Sequence, residues 1–392
     1  MPTSLPLMRE TAERIHGIPP TIFSEMSALA VRTGAINLGQ GFPDSDGPQR
    51  VIDRAVRALT HGENQYPPGP GRPRLREAVA AHQKRHYGFD LDPMTQVVIT
   101  TGCTEAIAGA ILGLVNPGDP VVMMEPYYDS YLAMVRFAGG VRRAVTLPAP
   151  DFRLDAEALD RACAGAKVLL LNTPHNPTGT VYTRAETEAI AEIALRHDLT
   201  VIADEVYEHL VFDGSQHLPI SSLPGMFERT VTLSSVGKSY SFTGWKVGWA
   251  SGPPDLVEAV LLAKQWLSYT SAGPLQEAVA VALEEESLWP AELAADLQTR
   301  RDLLCDGLAA VGLKARRSEG TYFAITDITE LGWSDSLEFC RALPERAGVV
   351  AIPGQVFYDS DAGKQLVRWA FCKDTEVIDQ GMERLTKASL AK

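Results

Sequence analysis

Two lysines eight residues apart, Lys238 and Lys246, stand in the run SSVGKSYSFTGWKVGW at 234–249. An amine set among Gly, Ser and Tyr beyond the C-terminal end of a strand lies where parallel sheets place ligands, and once desolvated it is a Schiff-base former. For Lys246 an ordinary solvated surface cation is the competing reading. In VIADEVYEHL at 201–210 an apolar run ends on Asp204, with Tyr207 three residues later. That carboxylate either caps the next helix or keeps the ring nitrogen of a pyridine cofactor protonated, with the phenol at the ring oxygen. In NTPHNPTG at 172–179, Pro177 fixes Asn176 in extended form and can aim its amide above the sheet, although such residues also serve turns for backbone reasons. His175 reads as a shape-filling or solvent-facing residue. VVITTGCTEAI at 97–107 is a strand, a Gly turn and a helix start, whose free N–H groups bind phosphate. Neither GxGxxG nor GxxxxGK[ST] is present, which argues against a dinucleotide dehydrogenase or an NTPase. Arg368 sits inside the apolar run LVRWAFCK at 366–373 and needs an anion, either a structural carboxylate or a substrate's.

The elements that must position these groups follow from the patterning. Runs at 97–100, 121–126, 167–172, 200–204 and 230–235 read as strands. Helical patterns lie between them, at 104–115, at 184–197 behind Thr183 as N-cap, and at 254–267. Strand and helix in alternation imply an α/β fold around a parallel sheet covered on both faces. A long helical stretch at 275–311, bent near Pro290, leads into the extended GTYFAITDI, a helix at 336–347 and the strand-like LVRWAF. The expected organisation is an N-terminal arm with part of a small domain over 1–45, a large α/β domain over 46–285, and a small α+β domain over 286–392.

Composition narrows the function classes. With 392 residues, 45% of them hydrophobic, and 36 Lys+Arg against 49 Asp+Glu, the net charge is −13. This is globular composition without the basic surface that tracks a nucleic-acid backbone. No apolar stretch approaches the roughly 18 residues of a membrane helix, and MPTSLPLMRE lacks the apolar core of an export signal, so a cytoplasmic enzyme is expected. Five scattered cysteines without CxxC fit reduced thiols rather than disulfides or zinc. His82 and His86 have helical i, i+4 spacing, but no third ligand is patterned nearby, so no metal site is expected.

Taken together, and over nearly the whole chain, these runs resemble the class I and II aminotransferases, fold-type I enzymes that use pyridoxal 5'-phosphate. The resemblance implies a mostly parallel sheet flanked by helices, with a smaller α+β domain. It makes Lys238 the Schiff-base lysine, Asp204 the partner of the pyridine nitrogen, and Tyr207 and Asn176 the donors to the ring oxygen. Ser235, Lys246 and the backbone of Gly102, Cys103 and Thr104 match the phosphate cup. In EPYYDSY at 125–131, Tyr128 matches the aromatic that stacks on the ring, with Tyr127 its competitor. Tyr66 in NQYPPGPG at 64–71 resembles the tyrosine that reaches the cofactor phosphate of the other subunit, which implies a homodimer with shared active sites. Arg368 matches the receptor of the substrate α-carboxylate, with Asn176 and the backbone of Gly41 in INLGQGFPD. The implied reaction is ping-pong: Lys238, released by an amino acid, moves a proton from its Cα to the cofactor, and a 2-oxo acid then reverses the steps.

Within that family the chain resembles the branch of N-succinyl-diaminopimelate, kynurenine/glutamine and methionine aminotransferases. Kynurenine/glutamine members carry an aromatic and a histidine just before the position of Pro274, where this chain has Ser271 and Ala272. Small residues there imply room for a longer substrate, with N-succinyl-LL-diaminopimelate and 2-oxoglutarate the expected pair. Phe23, near a pocket aromatic of the kynurenine branch, supports the alternative of kynurenine, glutamine, methionine or an aromatic amino acid. A pyridoxal-phosphate C–S β-lyase is a further alternative, because the same constellation can expel a β-leaving group. A ligand-sensing regulator ranks last, since the arm of 45 residues is too short for a winged helix.

Overall fold

The apolar runs of the central region pair into one seven-stranded sheet, in a computed structural model that describes residues 12–16, 18 and 20–392. The opening MPTSLPLMRE lies outside the described residues. The chain begins with α1 (Ile22–Thr33), β1 (Ile36–Asn37), α2 (Gln49–Thr60) and α3 (Pro73–Tyr87). The alternating region follows with β2 (Val97–Thr101), α4 (Gly102–Leu114), β3 (Pro120–Glu125), α5 (Asp129–Phe137), β4 (Val141–Thr146), α6 (Ala156–Cys163), β5 (Val168–Asn172), α7 (Arg184–Arg196) and β6 (Thr200–Asp204). It closes with β7 (Thr230–Ser235), α8 (Val236–Ser239), β8 (Val247–Ser251) and α9 (Pro254–Lys264). The remainder is α10 (Gly273–Glu285), α11 (Trp289–Ala310), β9 (Ala315–Arg316), β10 (Phe323–Asp327), α12 (Ser336–Ala347), β11 (Val349–Val350), β12 (Ile352–Pro353), β13 (Leu366–Ala370) and α13 (Thr375–Lys387).

The large sheet has the order β2-β8-β7-β6-β5-β3-β4, and only β8 runs against the others. Val121, Met123, Val168, Leu170 and Ile202 enter one core, while Val122, Met124, Leu169, Leu171, Val201 and Ala203 enter another. Successive strand side chains alternate faces, so strands apolar at every position must be covered twice. β4 and β8 escape a reading of the sequence for apolar runs. VRRAVT is an edge strand whose arginines are half-buried, and VGWAS continues a Gly-punctuated loop.

A four-stranded antiparallel sheet, β12-β13-β10-β9, and the parallel pair β1-β11 form the C-terminal layer, so residues 36–37 join strands more than 300 positions away. Glu125, at the end of β3, fastens this layer to the large sheet. It accepts hydrogen bonds from Thr146 Oγ1 (2.6 Å), the Asp359 amide (2.7 Å) and Ser360 Oγ (2.6 Å).

Three sequence expectations change. The stretch 275–311 is two helices, not one bent helix: α10 ends at Glu285 and α11 restarts at Trp289 with Pro290 in its first turn, where a missing N–H costs nothing. The helix after β2 starts at Gly102, two residues earlier than its apolar pattern suggests. The pair His82 and His86 on α3 does have a third imidazole beside it, His209 from the turn after β6, which no spacing along the chain could show.

Thr183 caps α7 as expected, in a capping box in which its Oγ1 accepts from the Glu186 amide (3.2 Å) and the Glu186 carboxylate accepts from the Thr183 amide (2.8 Å). Thr183→Ala is expected to lower stability by about 1 kcal/mol, read as a shift of the urea midpoint at unchanged slope. An unshifted midpoint would show that the box contributes nothing.

Candidate active site

Parallel pairing places Asn172 and Asp204 side by side at the C-terminal ends of β5 and β6, facing the crevice where α/β sheets hold ligands. A cavity of about 270 Å³ opens there between the large sheet and the C-terminal layer. Lys238, Asp204, Tyr207, Asn176, Ser235, Lys246, Tyr128 and Arg368 line it, as do Gly102, Cys103, Thr104, Gly41 and Phe23. Of the residues singled out in the sequence, Tyr66 does not reach it. It is 83% exposed and stands edge-on to Tyr269, with ring centroids 5.7 Å apart. Tyr127 is also excluded, because its hydroxyl donates to Asp359 (2.6 Å) and the register leaves Tyr128 at the cavity.

Asp204 is buried, and burial raises its pKa against three donors. Oδ2 accepts from Tyr131 Oη (2.6 Å), while Oδ1 accepts from the Val206 amide (3.2 Å) and Cys103 Sγ (3.4 Å). Asn172 binds the Asp204 carbonyl through Nδ2 (2.9 Å) and accepts the Asn176 amide on Oδ1 (2.8 Å), which sets the loop carrying Asn176. His175 in that loop is buried, shares a hydrogen bond with Thr178 Oγ1 (2.7 Å), and is held by burial at a pKa of about 3.

Lys238 extends from the short helix α8 that follows β7. Its Nζ donates to Tyr322 Oη (2.7 Å) and to the Gly41 carbonyl (3.3 Å), and it lies 5.3 Å from the Tyr322 ring centroid and 5.7 Å from that of Tyr207. Burial lowers its pKa to about 8. Tyr322 in turn donates to the Gly41 carbonyl (2.5 Å).

Arg368, 1% exposed on β13, has no carboxylate partner among the described residues. Nη1 donates to Asn176 Oδ1 (3.1 Å) and Nη2 to the Gly39 carbonyl (3.0 Å), and Nε is buried without an acceptor. The guanidinium lies over Phe323 (3.9 Å), Phe23 (4.9 Å) and Phe357 (5.0 Å), and burial lowers its pKa to about 10. Of the two anions left open by the sequence, a structural carboxylate is thereby absent from the described surroundings. The unpaired Nε edge has the donor chemistry that suits a small carboxylate.

At the other end of the cavity α4 offers its N-terminus. Gly102 has φ +69°, and a Cβ on it would lie 3.2 Å from Lys246 Nζ. A Cβ on Gly248 would lie 2.6 Å from the Gly102 carbonyl carbon and 2.8 Å from the Cys103 amide. Two glycines thus bring a helix start, a lysine and the N-cap Ser235 to one place, a cradle suited to a phosphate. Together with the buried carboxylate and the desolvated amine, this donor set fits pyridoxal 5'-phosphate. Sequence reading missed Tyr131, Asn172 and Phe323 in the cavity lining and Tyr322 beside Lys238, since nothing local marks a tyrosine or phenylalanine as part of a site. Ser271 and Ala272 do not line this cavity. They precede Gly273, which packs against Gln65 and Pro67 on the face that carries Tyr66.

The family model described as aminotransferase class I and II matches residues 33–385. A probable N-succinyldiaminopimelate aminotransferase of Mycobacterium tuberculosis is 51% identical over 389 residues, covering 96% of this chain and 98% of its own. The solved structure of the N-succinyldiaminopimelate aminotransferase from that organism superimposes with a TM-score of 0.94 over 96% of this chain and 99% of its own. A methionine aminotransferase of Escherichia coli is 36% identical, covering 98% of this chain and 99% of its own.

Desolvation of Lys238 has a readable consequence. Only the neutral amine attacks a carbonyl, so ligand-free protein should capture a small aldehyde faster as pH rises, with a midpoint near 8 rather than near 10.5. Borohydride trapping and peptide mass spectrometry measure it, and a midpoint near 10.5 would mean a solvated lysine.

Proposed function

The chain belongs to the class I and II aminotransferases, and from that membership we propose that it moves the amino group of N-succinyl-LL-diaminopimelate to 2-oxoglutarate, with pyridoxal 5'-phosphate as cofactor. The observation that carries this reading is the convergence of Lys238, Asp204, Asn176, Tyr207 and Arg368 on one cavity from separate segments of the chain. When bound, the cofactor supplies an electron sink for the charge left as a bond to the substrate Cα breaks. The remaining work belongs to the side chains. Arg368 and Asn176, with the backbone at Gly41, bind the α-carboxylate. Lys238 would take the proton from Cα and pass it to the cofactor. Asp204 holds a proton at the ring nitrogen, and Tyr207 and Asn176 donate to the ring oxygen. Tyr128 would cover the ring, while the α4 N-terminus, Ser235 and Lys246 would hold the phosphate.

The choice of donor is supported by the 51% identity to the mycobacterial relative. A homodimer with shared sites is supported by the exposed face that carries Tyr66 and Trp266, 83% and 84% exposed. Tyr66 on that face would serve the neighbouring subunit, and Ser271 and Ala272 would act from the same side. We also propose the division at 46 and 286 into arm, large and small domains, and a cytoplasmic setting, supported by five free thiols. A second reading has its own support. Phe23, Phe323 and Phe357 surround the guanidinium, a lining that suits the apolar side chains of methionine or kynurenine.

The deciding experiment follows the visible spectrum of the cofactor-loaded protein as donors are added singly. N-succinyl-LL-diaminopimelate should give the largest kcat/KM, and a larger value for methionine, glutamine or kynurenine would select the second reading. Pyruvate released from cysteine conjugates without an oxo-acid acceptor would select a β-lyase instead. Lys238→Ala should abolish turnover with every donor. Arg368→Gln should lower kcat/KM for all α-amino acids by about 30- to 4,000-fold, the 2–5 kcal/mol typical of removing one partner from a buried charged pair. Turnover unaffected by Arg368→Gln would remove that residue from carboxylate binding.

A further inference from the structure

Away from the catalytic cavity, three imidazoles meet at the surface. His82 and His86 are one helical turn apart on α3, and His209 comes from the turn at 206–209 after β6. The three rings are mutually adjacent, with centroids 4.5, 4.9 and 4.7 Å apart, and one nitrogen from each lies within 4.8 Å of the others. His82 Nε2 and His209 Nε2 are 2.7 Å apart. At that distance one ring's N–H donates to the other's lone pair, and a bound ion would take the place of that proton. His82 is 1% exposed, and its Nδ1 is buried without a hydrogen-bond partner. His86, by contrast, is exposed and opens the group to solvent.

We propose that His82, His86 and His209 form a site for one zinc ion, with solvent in the open position. Two histidines at i, i+4 on a helix plus one from a distant loop is a chemically sufficient ligand set, and all-imidazole donors favour zinc over magnesium or calcium. The ion would fasten α3 to the turn at 206–209. That turn also carries Tyr207, and its Glu208 accepts a hydrogen bond from Ser234 Oγ (2.6 Å) on β7. The site is therefore a clamp on the outer side of the segment whose inner side faces the catalytic cavity.

The test uses the untagged, cofactor-loaded enzyme after chelator dialysis, titrated calorimetrically with Zn²⁺ and followed by visible spectroscopy with Co²⁺. One ion per chain, a tetrahedral-type Co²⁺ band and a higher melting temperature with Zn²⁺ are expected. His86→Ala, at an exposed position, and His209→Ala should each weaken Zn²⁺ binding at least about tenfold and abolish the thermal shift. His197→Ala, a histidine paired with Asp160 elsewhere, should leave both unchanged. No Zn²⁺ uptake by the parent enzyme, or equal uptake by the parent and His86→Ala, would overturn the proposal.

Discussion

Arg368 keeps a guanidinium inside a β-strand where burial without a counter-ion costs several kcal/mol, and the surrounding structure is arranged to bear that cost. Its two amino groups are taken by Asn176 from the large sheet and Gly39 from the strand-to-loop junction after β1, while three phenylalanine faces cover the rest. The hydrogen bond to Asn176 thereby links the C-terminal layer to the large sheet. The arginine's remaining buried nitrogen, Nε, is left for a ligand. A carboxylate at that nitrogen would offset the penalty, which is the physical ground for the proposed role of Arg368.

The same desolvation acts on the other two charged groups of the cavity with opposite signs. Burial raises the Asp204 carboxyl and lowers the Lys238 ammonium, because in both cases it disfavours the ionised form. Hydrogen bonds from Tyr131, the Val206 amide and Cys103 work against burial at Asp204 and favour its anion. Lys238 has only a phenol and a carbonyl beside its amine, so burial dominates there. One environment thus yields a carboxylate able to hold a proton on a bound ring and an amine able to act as a nucleophile near neutral pH. Gly102 and Gly248 add the geometric condition, since a side chain at either would separate the α4 N-terminus from Lys246 or from β8.

Most of the central strands are legible because a parallel sheet buried on both faces demands near-continuous apolar runs, and β3, β5 and β6 carry them. The α7 start is legible from Thr183 and Glu186, since capping is local chemistry. β4 and β8 are not, because an edge strand tolerates arginines and a Gly-containing strand looks like loop. Tyr131 and Tyr322 are not legible either. Their hydrogen bonds to Asp204 and Lys238 span 73 and 84 positions, and the local sequence of a cavity tyrosine does not differ from that of a core one.

By itself the sequence determined the chemistry available to this protein: a lysine after a strand, an acid at a strand end, an asparagine before proline, and an arginine in an apolar run. Each is a short-range pattern with a physical cause that acts within a few residues. Tertiary structure alone decided which of them share a cavity, that Tyr128 rather than Tyr127 faces it, that Arg368 has no carboxylate among the described residues, and that Tyr66 and Ser271–Ala272 lie on another face. It also brought His209 to His82 and His86. These outcomes depend on strand register and on how two layers pack, which are set by the summed burial of side chains distant in the chain rather than by any segment alone.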